Sequence, residues 1–218
     1  MDLLTAIKER HSVRSYLDKP IEDHLREELE VLIDECNREG DLHLQLVVDE
    51  PKAFDGFMAH YGKFSGVKNY VALVGKKDAD EKIGYYGEKI ALKAQTLGLN
   101  SCWVALTYKK IKTAFAVRSD EKLYCVLTLG YGANQGVAHK SKAYEEVASP
   151  GEAPEWFKEG VQAALLAPTA MNQQKFRFTY ENGKVNRKAG FGFYTKIDLG
   201  IAKYHFEIGA NHGKDYWN

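Results

Sequence analysis

The sequence has few cysteines, no net charge and no long apolar run, and each shortage narrows the class of protein. Cys36, Cys102 and Cys125 are an odd number without short paired spacing, so they give neither a disulfide framework nor a zinc knuckle. Thirty basic and thirty acidic residues cancel, which argues against a general nucleic-acid or membrane-surface binder. No apolar run approaches the roughly 18 residues of a membrane span, and the opening helix does not read as a signal peptide. We expect a reduced, soluble, cytoplasmic protein.

Residues in patterns typical of protein-based catalysis are also scarce. The seven histidines show no metal-ligand spacing, and no serine sits in a nucleophile elbow. The glycine-rich stretch Gly130–Gly136 follows a strand, but its third glycine is one residue late and no helical pattern follows, which excludes a dinucleotide-binding turn. We assign no catalytic side chain and no metal. Any redox chemistry therefore has to come from a cofactor.

With 218 residues, 44% of them apolar, the chain is long enough to bury a sizeable core. Apolar residues at helical spacing predict five helices: Leu3 to Glu9, Glu22 to Cys36, Glu81 to Leu97, Trp156 to Leu166 and Ile197 to Ile208. Short apolar or alternating runs predict five strands: Leu42–Val48, Tyr70–Val74, Trp103–Leu106, Leu123–Leu129 and Phe176–Tyr180. Asn182–Gly183 is a hairpin turn signal.

Two internal similarities indicate a duplication. A shift of 132 residues places Leu29 on Val161 and Leu44 on Phe176 without a gap, and the helix ending at Asn100 resembles the one ending at Asn211. A glycine-, serine- and proline-rich stretch from Gly130 to Pro154 lies between the two parts. We predict lobes at residues 1–150 and 151–218 that share one core.

Two clusters place a hydroxyl between two cations. Arg10, Ser12 and Arg14 alternate, so in an extended segment their side chains face one way and can bind a phosphate. A solvated basic face, or salt bridges to Glu9 and Glu22, is the alternative. Lys140–Ser141–Lys142 repeats the arrangement after the Leu123–Leu129 strand, where an exposed lysine pair is the simpler interpretation. Together the clusters carry enough charge for a phosphate dianion.

A proline-broken loop follows the fourth predicted helix. Its sequence, from Ala167 to Phe176, is A-P-T-A-M-N-Q-Q-K-F. Its polar side chains could form hydrogen bonds with the edge of a polar ring: Thr169, Asn172, Gln173 and Gln174. The alternative is a simple connector between a helix and a strand.

Taken together, these motifs resemble those of the FMN-dependent nitroreductase family. A-I-K-E-R-H-S-V-R-S-Y, from Ala6 to Tyr16, is similar to the family's phosphate motif, and L-G-L-N-S-C-W-V, from Leu97 to Val104, to the segment beside the flavin ring. L-G-Y-G followed by K-S-K resembles the strand and basic loop that close on the phosphate. The loop from Ala167 to Phe176 resembles the family's A-P-S-x-x-N-x-Q-P-W.

The resemblance implies an α+β fold with a central, mainly antiparallel sheet flanked by helices. It also implies non-covalent FMN, reduced by NADH or NADPH and reoxidised by a small acceptor such as a nitroaromatic or quinone. Sixteen residues are the expected flavin contacts: Arg10, His11, Ser12, Arg14, Lys63, Val104, Ala105, Leu106, Lys140, Ser141, Lys142, Pro168, Thr169, Ala170, Met171 and Asn172.

The chain departs from the family pattern in the position of the A-P-S-x-x-N loop. In ordinary members this loop follows the second helix and reaches the flavin of the other subunit of a homodimer. Here Cys36–Gly40 fills that early position, and the motif lies in the second part, where the 132-residue repeat places it. The resemblance therefore implies a pseudo-dimeric single chain with one FMN, with a homodimer as the open alternative.

Ala105 and Leu106 are a second departure, because relatives commonly have glycine, or glutamate then glycine, at this place. Bulkier side chains would narrow the space beside the ring. A flavin-binding sensor or carrier without robust turnover is therefore the first alternative to an oxidoreductase. The second is an interaction module whose basic clusters bind a phosphorylated or acidic partner.

Overall fold

The computed structural model describes residues 1–149 and 152–218 and folds them into seven α-helices and six β-strands. The predicted boundary between residues 150 and 151 lies outside the described residues. The helices are α1 Leu3–Glu9, α2 Asp23–Gly40, α3 Phe57–Tyr61, α4 Asp80–Thr96, α5 Tyr144–Val147, α6 Glu155–Ala164 and α7 Thr195–Ala210. The strands are β1 Gln45–Val47, β2 Asn69–Lys76, β3 Asn100–Val104, β4 Glu121–Gly130, β5 Phe176–Glu181 and β6 Lys184–Ala189.

Four strands form an antiparallel sheet in the order β1-β2-β4-β3. The central strands β2 and β4 are covered on both faces, which explains their nearly continuous apolar sequences. β5 and β6 form a separate antiparallel hairpin. Its turn residues, Asn182 and Gly183, both have positive φ, the conformation that this dipeptide favours in tight hairpins. The predicted α+β class with a mainly antiparallel sheet is confirmed.

The two long helices α4 and α7 cross in close contact. A Cβ on Gly84 would overlap the carbonyl oxygen of Ile197, and a Cβ on Gly200 would overlap that of Glu81. Each glycine thus meets the residue three positions before the other, an arrangement with local two-fold symmetry. The crossing depends on residues without side chains at both positions.

Most predicted elements lie where the hydrophobic pattern put them, but five elements of the structure differ from the prediction. Three of them were not predicted: α3, α5 and β6. β1 is shorter than the predicted Leu42–Val48. The strand predicted at Trp103–Leu106 is wrong in its bounds, because β3 begins at Asn100 and ends at Val104. Asn100 and Ser101 are buried there although they are polar, since they pair with the end of β4.

The order of elements repeats along the chain. A helix, two strands paired antiparallel and a long helix occur first as α2, β1, β2 and α4, with the short helix α3 between the strands, and again as α6, β5, β6 and α7. α2 and α6 begin 132 positions apart, as in the sequence match. α4 and α7 begin 115 positions apart, not the 111 that separates Asn100 from Asn211. The internal duplication stays a prediction.

One large buried cluster contains apolar side chains from both parts of the chain, among them Leu29, Ile83, Phe157 and Phe206. All three cysteines are buried and unpaired. In the described part of the chain, no helix combines the length and the apolar character needed to cross a bilayer.

Candidate functional site

The segment after α1 is extended and lies between two neighbours. Val13 donates a backbone hydrogen bond of 3.0 Å to the carbonyl of Ser101 in β3. On the other side, Tyr16 donates one of 3.0 Å to Ser65, whose own N–H donates to Arg14 at 2.9 Å. The segment that carries the first basic cluster is therefore fixed beside the sheet, and the common face of Arg10, Ser12 and Arg14 stays a prediction.

Three side chains of this segment act on the thiol of Cys102. Burial raises the pKa of Cys102, whereas the charge of Arg14, a hydrogen bond with Ser12 and the charge of Arg10 lower it. Arg14 is exposed and its guanidinium carbon lies 5.9 Å from the ring centre of Phe64. Arg10, Ser12 and Arg14 are thus all close enough to Cys102 to lower the pKa of its thiol.

Arg10 is only 2% exposed, so it belongs neither to a solvated basic face nor to salt bridges with Glu9 or Glu22. Its Nε lies 3.5 Å from Oε1 of Glu88 in α4. Within residues 1–149 and 152–218, its Nε and Nη1 are buried without a hydrogen-bond partner. Ser101 Oγ, on the neighbouring strand, is also buried and unbonded in the described part. Unpaired buried donors on a charged group are costly and point to a missing partner.

Glu88 is the centre of a buried network that sequence reasoning missed. Its Oε2 accepts from the indole Nε1 of Trp103 at 2.8 Å, and its Oε1 lies 2.9 Å from Nε2 of His205 in α7. Nδ1 of His205 lies 3.1 Å from the carbonyl oxygen of Ala163 in α6. Glu88 and His205 are fully buried. The sequence feature that could have indicated this network is a glutamate among the small, inward-facing residues of α4.

The loop after β4 returns to the first basic cluster. Leu17 donates to the carbonyl of Tyr131 and Ala133 donates to that of Ser15, both at 2.8 Å. Gly136 has a φ of 72°, and a Cβ there would lie 2.8 Å from that of His11. The pKa of His11 is lowered by burial first, then by the charges of Arg10 and His139. The loop after β4 therefore brings His139, one residue before Lys140, close to His11.

The second basic cluster packs against the proline-broken loop. The Ser141 hydroxyl donates to the carbonyl of Leu165 at 2.9 Å. Lys142 donates twice to Gln174, from its backbone N–H to Oε1 at 2.9 Å and from Nζ to the carbonyl at 3.1 Å. The head groups of Ser141 and Lys142 are therefore engaged within the protein, whereas Lys140 is exposed.

Polar side chains of the proline-broken loop mainly hold the loop together. Thr169 Oγ1 accepts from the backbone of Gln174 at 3.0 Å, and Asn172 Nδ2 donates to the carbonyl of Lys140 at 2.9 Å. The side chains of Thr169 and Asn172 are therefore already hydrogen-bonded within the protein and are not available to the edge of a ring. Pro168 and Ala170 are half-buried, and Met171 is 98% exposed.

Three non-glycine residues of this loop have positive φ: Met171 at 53°, Asn172 at 53° and Gln174 at 44°. Such conformations are costly and persist only where surrounding contacts impose them. Asp198 in α7 supplies two of those contacts, as it accepts from Ala170 N–H at 2.9 Å and from Gln173 Nε2 at 2.7 Å. Burial raises the pKa of Asp198 to about 6, although both hydrogen bonds lower it.

The predicted ring wall lies at the end of β3. Val104 is buried, Ala105 is half-buried and Leu106 is 69% exposed. Thr107 packs against Gly62. Lys63 comes next in the chain and is exposed, just before the segment that pairs with Ser15. Lys63 is therefore near the first basic cluster.

Neither of two cavities in the described structure is lined by any of the sixteen expected flavin contacts. One, of about 380 Å³, is lined by Tyr16 to Ile21 and by residues of α2, β2 and β4; the other, of about 660 Å³, lies between α2 and Lys93. The hydrogen bonds and packing contacts described above show which of the predicted residues lie near one another. Among residues 1–149 and 152–218, no cluster of three or more histidine, cysteine, aspartate or glutamate residues could hold a metal ion.

Comparison with known families and proteins gives one match over nearly the whole chain. The model of a family described as "Putative TM nitroreductase" matches residues 2–210. No curated protein matches this chain.

Solved structures share the fold. A "putative nitroreductase" from Thermotoga maritima has a TM-score of 0.70 at 21% identity, covering 96% of this chain and 83% of its own. An FMN-dependent nitroreductase from Clostridium difficile has a TM-score of 0.51 at 19% identity, covering 67% of this chain and 98% of its own. A "putative nitroreductase in complex with FMN" from Desulfovibrio desulfuricans has a TM-score of 0.50 at 17% identity, covering 71% and 99%.

Proposed function

Because this chain belongs to the nitroreductase family whose model matches residues 2–210, we propose that it binds FMN non-covalently and transfers electrons from NADH or NADPH to a small oxidised acceptor. The observation that carries the proposal is Arg10, a buried guanidinium whose Nε and Nη1 have no hydrogen-bond partner in the described part of the chain. A phosphate dianion would supply the missing acceptors, because planar guanidinium groups bind its oxygens through paired hydrogen bonds.

The residues on each side of this cluster suit the rest of the flavin. Lys63 extends the positive region, and Val104, Ala105 and Leu106 form an apolar edge at the end of β3. His11, whose pKa burial lowers, adds a polar imidazole beside Arg10. Lys140 and Met171 are exposed on the two loops that pack together, and the strained backbone from Met171 to Gln174 is held by Asp198. We assign the phosphate to the arginine cluster and the ring to the space bounded by β3 and the proline-broken loop.

One chain would hold one FMN as a pseudo-dimer. The repeated order of elements and the local two-fold symmetry at Gly84 and Gly200 support this. The Clostridium difficile protein aligns over 98% of its length with only 67% of this chain, so about a third of this chain lies outside the matched part. The added part would supply the loop that a second subunit lends in ordinary members.

In this proposal the protein binds and orients the cofactor and the substrates, and the cofactor carries out the redox chemistry. Bound FMN would supply the hydride-accepting ring between the nicotinamide donor and the acceptor. Arg10 and Arg14 would hold the phosphate, and the loop residues Pro168–Asn172 would limit access of water. Leu106 would restrict the space for the second substrate. No side chain of the described chain is assigned as a general acid or base.

The absorption spectrum of the purified protein tests cofactor binding. We expect flavin bands, and FMN as the flavin released on denaturation. A colourless protein that gains no thermal stability from added FMN would instead support an interaction module, since a ligand at 100 times its Kd adds about 2.7 kcal/mol.

Anaerobic mixing with NADH or NADPH tests turnover. We expect the yellow colour to bleach and to return when a nitroaromatic or a quinone is added. A flavin that neither donor bleaches would assign the protein to sensing or carriage of FMN.

A further inference from the structure

The buried charge of Arg10 has only a distant counter-charge. The residue is buried, and in the described part of the chain its one ion pair is with Glu88, from Nε to Oε1 at 3.5 Å. That distance is too long for a good charge-assisted hydrogen bond. The same Oε1 lies only 2.9 Å from Nε2 of His205. Glu88 is therefore hydrogen-bonded to His205, and Arg10 lies beside the pair.

The hydrogen bonds of His205 fix the number of protons that the pair holds. Nδ1 faces the carbonyl oxygen of Ala163, which can only accept, so Nδ1 carries a hydrogen. Nε2 faces Glu88 Oε1, and a hydrogen bond there needs one hydrogen between the two atoms. If the hydrogen belongs to His205, the pair is imidazolium and carboxylate; if it belongs to Glu88, both groups are neutral. The pair has no net charge in either case.

The positive charge of Arg10 is consequently not neutralised by Glu88. The other ionisable groups around it are Arg14, which has the same sign, His11, whose pKa burial lowers, and Tyr16 and Cys102, whose pKa values burial raises. Trp103, the remaining partner of Glu88, is uncharged. A buried cation without a counter-charge is costly, and the two unpaired nitrogens of Arg10 show the same deficit. The missing partner is an anion.

We propose that Glu88 and His205 form a proton-sharing pair that positions Arg10 while leaving its charge available to the FMN phosphate. The inference rests on the proposed function and adds two positioning residues to it. The pair joins α4 to α7, and His205 also contacts α6 through Ala163. The shape of the phosphate site therefore depends on helices from both parts of the chain. Riboflavin, which lacks the phosphate, should be insensitive to the pair.

The test measures the Kd of FMN and of riboflavin for a set of variants by flavin fluorescence quenching. In His205→Gln no imidazole shares a proton with Glu88, so the Glu88 carboxylate faces Arg10 as its counter-charge. We expect FMN affinity to fall about tenfold or more, with riboflavin affinity within about threefold of wild type. His24→Gln, at an exposed position on α2, is the matched control and should change neither ligand.

The double variant Glu88→Gln/His205→Gln separates charge from packing. It keeps the loss of His205 but removes the carboxylate, so Arg10 is again uncompensated and the preference for FMN should return. Glu88→Gln alone should leave the ratio of FMN to riboflavin affinity within about threefold of wild type, because the pair is neutral before and after. If Glu88 were a full counter-charge to Arg10, this variant would instead raise the ratio about tenfold.

The possible results distinguish failure of this inference from failure of the proposed function on which it rests. A wild-type protein that binds riboflavin as tightly as FMN would overturn the phosphate site and this inference together. A wild-type preference for FMN that His205→Gln leaves intact, or that the double variant fails to restore, would overturn the inference alone. If His205→Gln fails to fold, the tenfold rise in Glu88→Gln remains the result that overturns it.

Discussion

Asp198 and Ala170 are joined by a 2.9 Å hydrogen bond, from the backbone N–H of Ala170 to a carboxylate that is 2% exposed. The same carboxylate accepts from Gln173 at 2.7 Å. These bonds bracket Met171 and Asn172, whose φ values are both 53°. A buried acid in the first turn of α7 thus holds the strained part of the proline-broken loop.

We expect this loop to loosen below about pH 6. Burial raises the pKa of Asp198 to about 6, so the group gains a proton as the pH falls through that value. A protonated carboxyl has only one good acceptor left, while the loop offers two donors. Hydrogen exchange corrected for the intrinsic rate should show greater protection of the Ala170 amide at pH 7.5 than at pH 5. Asp198→Asn should abolish the difference, and an unchanged pH step in that variant would contradict the assignment.

Global stability should change with pH in the opposite direction. Because the pKa of Asp198 is higher in the folded protein than its ordinary value of 3.8, the folded state holds a proton that the unfolded chain has lost between these values. The stabilising contribution is present below about pH 4 and is lost as the pH rises through 6, a change on the order of 3 kcal/mol. Urea unfolding of wild type and Asp198→Asn at pH 4.5 and 7.5 checks this. The stability difference between the two proteins should shift in favour of the variant at the higher pH.

Arg14→Ala should weaken FMN binding far more than riboflavin binding. Arg14 is exposed and lies over Phe64 beside Ser12, where it can reach a phosphate oxygen. Loss of charge-assisted hydrogen bonds predicts about a tenfold to hundredfold rise in the Kd of FMN. Arg38→Ala, exposed near the end of α2, is the control for net charge. Equal losses for both flavins would remove the phosphate role of Arg14.

The helix crossing gives a prediction about stability that does not depend on the cofactor. Alanine is favoured over glycine inside a helix by about 1 kcal/mol. Gly84→Ala should nevertheless destabilise the protein by about 2–4 kcal/mol, because the new Cβ overlaps the Ile197 carbonyl and forces α4 and α7 apart. Gly213→Ala, where no atom lies within 4 Å of the added Cβ, should change the free energy of unfolding by less than about 0.5 kcal/mol. A Gly84→Ala variant as stable as wild type would show that the helices separate freely.

Local patterns in the sequence were enough to predict much of the fold. The Asn182–Gly183 turn and the apolar run of β4 depend on neighbouring residues alone, and both lie where predicted. The five-residue α3 was missed because one turn of helix is too short to show a period.

Partners distant in the chain could not be predicted. The alternative interpretation of the first basic cluster paired Arg10 with Glu9 or Glu22, but its partner Glu88 is on α4, 78 positions away, and is placed by the packing of α4 on α7. Asp198 and the loop near Ala170 are likewise brought together only by tertiary packing. Thr169 and Asn172 have the right chemistry to bind a ring, yet the folded loop uses their side chains for itself. Residue type indicated chemical capacity, and the fold determined which partner each group received.

We expect the chain to retain one FMN as a monomer. In the proposed pseudo-dimer, the surface that a symmetric dimer would use is already occupied by the packing of α4 on α7 within one chain. Native mass spectrometry should give 24.6 kDa plus one FMN, and the ratio of flavin to protein should stay constant on dilution. Riboflavin-loaded protein is the control for the mass of the ligand. If flavin were released in step with the dissociation of two chains, a second chain would have to supply part of the site, and the loop from Pro168 to Asn172 would then act in the partner rather than in its own chain.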